Sequence, residues 1–129
     1  MIAAWVFVGF CLVICLFQLA LIGGAPWGHL TQGGQQQGAL TPRARGMVAL
    51  SMAVIVLMAL GILSAAGSWP HWPEFASWLA LGIMSLSTIA NWLTPSKWER
   101  LIWGPVCLAM LGCALFVLIT GPERVSGPL

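Results

Sequence analysis

The chain has 129 residues, of which 60% are hydrophobic and only 6% are charged. An average soluble domain is about 45–50% apolar and about 25% charged, so this composition excludes a soluble globular domain and a disordered chain. The formal charge of +2 is too small for the basic surface that nucleic-acid binding requires. A small protein with several membrane-spanning segments is the class that remains.

The first candidate membrane helix lies at the N-terminus, over residues 3–22. A helix needs about 20 mainly apolar residues to cross a hydrocarbon core of roughly 30 Å. The apolar run is longer than the about 7–15 apolar residues of a secretory signal, and no basic residue precedes it. We therefore predict a retained membrane helix, which ends at the GGAP sequence of residues 23–26.

The longest connection follows this helix, over residues 23–45, and reads GGAPWGHLTQGGQQQGALTPRAR. Loops of this length without secondary structure are usually functional or disordered. The connection contains His29, Arg43 and Arg45 and no acidic residue, so a bound anion such as a lipid phosphate is one hypothesis. A structured linker that packs against the membrane surface is the other.

Three further apolar segments predict the remaining helices of the bundle. They cover residues 46–66, 74–93 and 98–120. Thr41 and Pro42 are typical of an N-cap followed by a first-turn proline, and Ser96 with Glu99 forms a capping-box pattern. Continuous apolar runs lack the alternation of a membrane β-barrel. We therefore predict an all-α fold, a single four-helix transmembrane domain over residues 1–129.

The basic residues predict the direction of insertion. Arg43 and Arg45 lie in the first connection, Lys97 and Arg100 lie in the third, and Arg124 is the only basic residue outside these two. Short connections rich in Lys and Arg stay in the cytoplasm. We therefore expect an N-out, C-out topology, with the first and third connections in the cytoplasm.

Two amides stand out inside the predicted spans. Gln18 is the only large polar side chain of the first helix, and Asn91 shares a face of the third helix with Ser87 and Thr88. An unsatisfied amide in lipid is unfavourable, so both amides should face protein, and a contact between them is one hypothesis. Asn91 forms either an inter-helix hydrogen bond or a ligand contact.

The tryptophans and cysteines are interpreted as structural. Six of the eight Trp lie near predicted span ends, which is typical of an interfacial belt, although an aromatic cage for a cation is the alternative. These six are Trp5, Trp69, Trp72, Trp92, Trp98 and Trp103. The cysteines lie in apolar sequence without a C-x-x-C motif, and they are Cys11, Cys15, Cys107 and Cys113. We expect four unpaired packing thiols, no metal and no cofactor.

The predicted cytoplasmic end carries the candidate functional surface, a ligand or partner site. Its residues are His29, Gln32, Arg43, Arg45, Asn91, Glu99 and Arg100. One hypothesis pairs Glu99 with one of the two loop arginines and so holds the long connection against the fourth helix. Another uses His29 and Glu99 for proton transfer, for which one acid and one base are the minimum.

Two segments resemble a known group of proteins. GAPWGHLTQGG…GALTPRAR follows the first helix, and NWLTPSKWERLIWGPV crosses the third connection. Together they resemble small four-helix bacterial inner-membrane proteins of about this length, which are uncharacterised integral membrane proteins. The resemblance covers most of the chain. It implies a multi-pass protein of the bacterial inner (cytoplasmic) membrane, and it implies no activity, cofactor or partner.

These observations favour a non-enzymatic membrane protein. We interpret the chain as an accessory or assembly subunit, or as a bundle that binds a lipid or small ligand. The first alternative is the protomer of a homo-oligomeric small-molecule transporter, although coupled transport usually requires an ionisable residue in mid-membrane. The second is a membrane enzyme that uses His29 and Glu99. The expected partners are membrane lipids and either a larger membrane protein or further copies of the chain, with no nucleic acid.

Overall fold

The computed structural model describes residues 2–30 and 38–120. Within them the fold consists of four long α-helices and one short 3-10 turn, without a strand. The helices are α1 (Ile2–Ile22), α2 (Pro42–Ala65), α3 (Glu74–Leu93) and α4 (Lys97–Ile119), and the 3-10 turn covers Gly28–Leu30. All four helices are long and apolar enough to cross a membrane. The prediction of an all-α chain with four such helices is confirmed.

The largest difference from the predicted boundaries is at the start of α2. The helix begins at Pro42 instead of residue 46, because the Thr41 hydroxyl accepts a hydrogen bond from the Ala44 N–H at 3.3 Å and caps it there. Counting apolar residues alone missed this polar first turn. The long connection therefore covers residues 23–41 instead of 23–45, and its two predicted arginines belong to α2. The other boundaries agree within one residue.

The helices form a closed ring of neighbours. α1 packs against α2 and α4, and α3 packs against the same two helices. The connections from α2 to α3 and from α3 to α4 are short, and short connections make neighbouring helices antiparallel. The N-termini of α2 and α4, with their arginines and lysine, therefore lie at one end of the bundle, which we call the basic end.

Small residues let the helices approach closely. A Cβ atom at Gly61 of α2 would lie 3.1 Å from the carbonyl oxygen of Ala76 in α3. A Cβ at Gly104 of α4 would lie 3.1 Å from the ring of Trp92 in α3. Close backbone approach is the main source of van der Waals packing between membrane helices, and both contacts position α3 against its neighbours.

The interior has two apolar clusters. The larger one joins all four helices around fully buried side chains such as Phe7, Ile62 and Met110. The smaller one lies at the basic end, where Leu40 of the long connection packs with Leu21. Because Leu40 is only 2% exposed, the end of the connection is held between α1 and α2.

Candidate functional site

The polar side chains inside the bundle line one cavity of about 200 Å³. All four helices contribute to its wall, and it lies towards the basic end. Its polar lining residues are Gln18, Ser51, Ser87, Asn91 and Glu99. Its deeper part is apolar and is lined by residues such as Met58, Met84 and Met110. The cavity is therefore polar at the basic end and apolar towards the centre of the bundle.

Gln18 connects α1 to α2 across the cavity wall. Its Nε2 donates a hydrogen bond to Ser51 Oγ at 3.1 Å. Its Oε1 is buried and has no hydrogen-bond partner among residues 2–30 and 38–120. Leaving a buried polar atom unsatisfied costs about 1–3 kcal/mol. Gln18 Oε1 is therefore an acceptor in the cavity wall without a partner among the described residues.

Asn91 places a second amide on the wall. Its Nδ2 donates to the Ser87 carbonyl at 2.8 Å and to the Cys107 sulfur at 3.4 Å. With both amide hydrogens directed to protein, Oδ1 is the atom of this side chain that remains to accept. The structure does not show the hydrogen bond between Gln18 and Asn91 that was one hypothesis, because Gln18 donates to Ser51 instead. Both amides nevertheless line the same cavity.

Glu99 adds an acidic side chain to this wall. It is the third residue of α4, and its backbone N–H donates to the Ser96 hydroxyl at 3.2 Å, which is the predicted N-cap contact. Its side chain lines the cavity and the residue is only 8% exposed. Among the residues that line the cavity, Glu99 is the acidic one.

Aromatic rings close the wall where the long connection begins. Trp103 Nε1 donates to the Leu30 carbonyl at 2.9 Å, and its ring centroid lies 4.9 Å from that of Phe17. Phe17 stacks on Trp27 with centroids 5.8 Å apart. Both Phe17 and Trp103 line the cavity, so residues 27–30 pack on its wall. The ring of Trp103, expected in the interfacial belt, therefore connects α4 to the long connection.

The three predicted arginines do not line the cavity. Arg45 Nε donates to the Leu40 carbonyl at 2.9 Å, and the Arg100 guanidinium donates to the Thr94 carbonyl. Both residues therefore stabilise the backbone where connections meet helices. Arg43 is exposed in the first turn of α2, a position suited to anionic headgroups.

Of the seven predicted surface residues, the structure brings Asn91 and Glu99 together on the cavity wall. The backbone of His29 belongs to the 3-10 turn Gly28–Leu30. Gln32 lies outside the described residues.

Sequence reasoning missed part of the cavity wall. Ser51 and Trp103 were not assigned to a site, and Cys107 was assigned to packing only. Ser87 carried a signal, since it lies one helical turn before Asn91. The four cysteines are free thiols, and the described residues contain no group of three or more His, Cys, Asp or Glu placed to hold a metal.

Comparison with known proteins adds no functional assignment to this geometry. No protein-family model matches the chain, and neither a curated protein nor a solved structure matches it.

Proposed function

We propose that this protein binds a small hydrogen-bond-donating ligand in the cavity between its four helices. The observation that carries the proposal is the cavity itself, in whose wall five polar side chains meet, among them Gln18, whose Oε1 has no partner among the described residues. Polar side chains inside membrane bundles are unfavourable unless they are satisfied, and they typically mark functional sites. A cavity that collects five of them is therefore a binding site rather than a packing defect.

The atoms on the wall indicate the chemistry of the ligand. Gln18 Oε1 and Asn91 Oδ1 are acceptors, whereas one amide hydrogen of Gln18 and both amide hydrogens of Asn91 are directed to protein groups. A ligand with hydroxyl or amine groups matches this arrangement. An ionised carboxylate offers acceptors only, so a ligand of that kind would leave both oxygens unsatisfied.

Filling the cavity is expected to remove the ligand. Leucine in place of Ser87 projects into the space that the ligand occupies, whereas leucine in place of Ala90, which is exposed on the same helix, does not. Native mass spectrometry of protein gently extracted from its host membrane measures the retained molecule. We expect wild type and Ala90→Leu to retain the molecule. We expect Ser87→Leu to bind it at least about tenfold more weakly, which corresponds to about 1.4 kcal/mol.

The same spectra distinguish the other functions that the sequence favoured. A second, larger protein in constant ratio, with an empty cavity, would replace the binding proposal with that of an accessory or assembly subunit. A homo-oligomer without a retained molecule would favour the transporter protomer. Equal retention in Ser87→Leu and wild type would place the ligand elsewhere on the protein.

We also propose that the basic end faces the cytoplasm of a bacterial inner membrane, so that both termini lie outside. Arg43 and Arg45 lie in the first turns of α2, and Lys97 and Arg100 in the first turn of α4, so all four stand at one end. A juxtamembrane Lys or Arg contributes about 1 kcal/mol of attraction to anionic lipid.

Reporter fusions in bacteria test this orientation. Alkaline phosphatase fused to the C-terminus is expected to be active, because it folds outside the cytoplasm, and green fluorescent protein at the same position is expected to be dark. Fluorescence together with an inactive phosphatase would reverse the proposed topology.

A further inference from the structure

The size of the cavity limits the ligand that fits inside it. Its volume is about 200 Å³. Pockets for drug-sized molecules typically measure about 300–1,000 Å³, whereas an apolar cavity of about 150 Å³ in a protein core binds benzene. The cavity therefore accommodates a molecule with a single ring and a small substituent.

The apolar part of the wall favours an aromatic ring over an aliphatic one. Three methionines line it, and each is at most 5% exposed: Met58, Met84 and Met110. A thioether sulfur makes favourable contacts with aromatic rings. Phe17 and Trp103 line the same cavity, and aromatic rings also attract one another in offset or edge-to-face arrangements. An aliphatic ring of the same size would gain neither kind of contact.

The polar part of the wall requires a hydrogen-bond donor on that ring. Gln18 Oε1 is buried and has no partner among the described residues, and Asn91 Oδ1 is a second acceptor on the same wall. An amide oxygen accepts hydrogen bonds and cannot donate them. A hydroxyl or N–H group satisfies such an oxygen, whereas an ether oxygen leaves it unsatisfied.

We infer that the ligand is a single-ring aromatic molecule with a hydroxyl or N–H group that donates to Gln18 Oε1. This inference rests on the proposed function and names its ligand class. The cavity is polar at the basic end and apolar towards the centre of the bundle, so the donor faces the basic end and the ring contacts the methionines.

The binding test compares four probes on wild-type protein in nanodiscs. Phenol combines the aromatic ring with a donor, anisole has the ring without a donor, cyclohexanol has the hydroxyl on an aliphatic ring, and 4-phenylphenol has a second ring. We expect phenol to bind at least about tenfold more tightly than anisole and 4-phenylphenol, and at least about threefold more tightly than cyclohexanol. Equilibrium dialysis measures binding, and nanodiscs without protein measure the probe dissolved in the bilayer, which is subtracted.

A first variant tests the acceptor. Gln18→Met keeps a side chain of similar length and removes Oε1, so we expect the preference for phenol over anisole to fall at least about fivefold. Because the preference is a ratio, a loss of packing that weakens both probes equally does not change it. Leu19→Met is the control, at an exposed side chain of the same helix that does not line the cavity.

A second variant tests the contact between sulfur and ring. Met84→Leu combined with Met110→Leu removes two thioethers at nearly constant volume. We expect phenol to bind at least about threefold more weakly and cyclohexanol to stay within about twofold. Met47→Leu is the control, because Met47 is 59% exposed and does not line the cavity.

The outcomes separate this inference from the proposed function. Equal binding of phenol and anisole, or of phenol and cyclohexanol, would overturn the inference, as would a preference for phenol over anisole that Gln18→Met leaves unchanged. The proposed function would still stand if Ser87→Leu loses the molecule retained in the native mass spectra. Absence of saturable binding for all four probes would also overturn the inference. The comparison of probes on wild-type protein remains decisive if a variant fails to fold.

Discussion

Replacing Gly61 by leucine is expected to lower the free energy of unfolding by about 3 kcal/mol, because overpacked sites typically lose about 1–3 kcal/mol and leucine is much larger than glycine. Even a Cβ atom at this position would lie 3.1 Å from the Ala76 carbonyl oxygen. That oxygen belongs to the backbone of α3 and cannot rotate away. The two helices must therefore separate, and the van der Waals contacts along their crossing weaken.

The loss is measured from the unfolding of the helices in detergent, by circular dichroism against temperature or denaturant. Gly82→Leu is the matched control, because a Cβ atom on Gly82 of α3 would have no heavy atom of another helix within 4 Å. Leucine favours a helix over glycine by up to about 1 kcal/mol, so this control should be as stable as wild type or more so. Equal stability of Gly61→Leu and Gly82→Leu would contradict close packing of α2 on α3.

Replacing Trp103 by leucine is expected to release the start of the long connection from α4. The change removes a hydrogen bond to the Leu30 carbonyl and an aromatic contact with Phe17. Each is worth about 0.5–1.5 kcal/mol. Amide hydrogens in residues 27–30 exchange when this segment opens locally, and we expect their exchange to become about 10–100-fold faster.

Hydrogen exchange followed by mass spectrometry measures this release. The informative amides are those of Gly28, which donates to the Gly38 carbonyl at 2.7 Å, and of Leu30, which donates to the Trp27 carbonyl at 2.9 Å. Trp98→Leu, at an exposed tryptophan of the same helix, is the control and should leave both rates unchanged. If the two variants behave alike, the Trp103 hydrogen bond does not hold the connection.

The two changes act at opposite ends of the bundle. Gly61 and Ala76 do not line the cavity, whereas Trp103 does. A ligand that dissociates through the basic end should therefore leave faster in Trp103→Leu.

The sequence by itself determined the helices. A membrane helix must satisfy its backbone hydrogen bonds internally and match the bilayer thickness, and both requirements depend on a continuous stretch of chain. Residues 74–93 were therefore predicted with the boundaries that α3 has. The caps at Thr41 and Ser96 are also local, since each hydroxyl accepts from an N–H three residues ahead. The start of α2 was misplaced only because its polar first turn was counted with the connection.

The sequence also indicated two members of the cavity wall. Asn91 and Glu99 stood out because polar side chains are rare in this chain. Gln18 was noted for the same reason, as an amide that should face protein. The residue type and its position along a predicted helix were enough to single out these residues. Neither property depends on the neighbouring helices.

Only the tertiary structure decided which side chains share the cavity. Lipid and the protein interior are both apolar, so the apolar pattern of a membrane helix carries little information about which face is turned inwards. The rotation of each helix is determined instead by non-local contacts, such as Gly61 with Ala76 and Trp103 with Leu30. These contacts bring Ser51 to the cavity. For the same reason, the sequence did not indicate that Arg45 and Arg100 donate to the backbone carbonyls of Leu40 and Thr94.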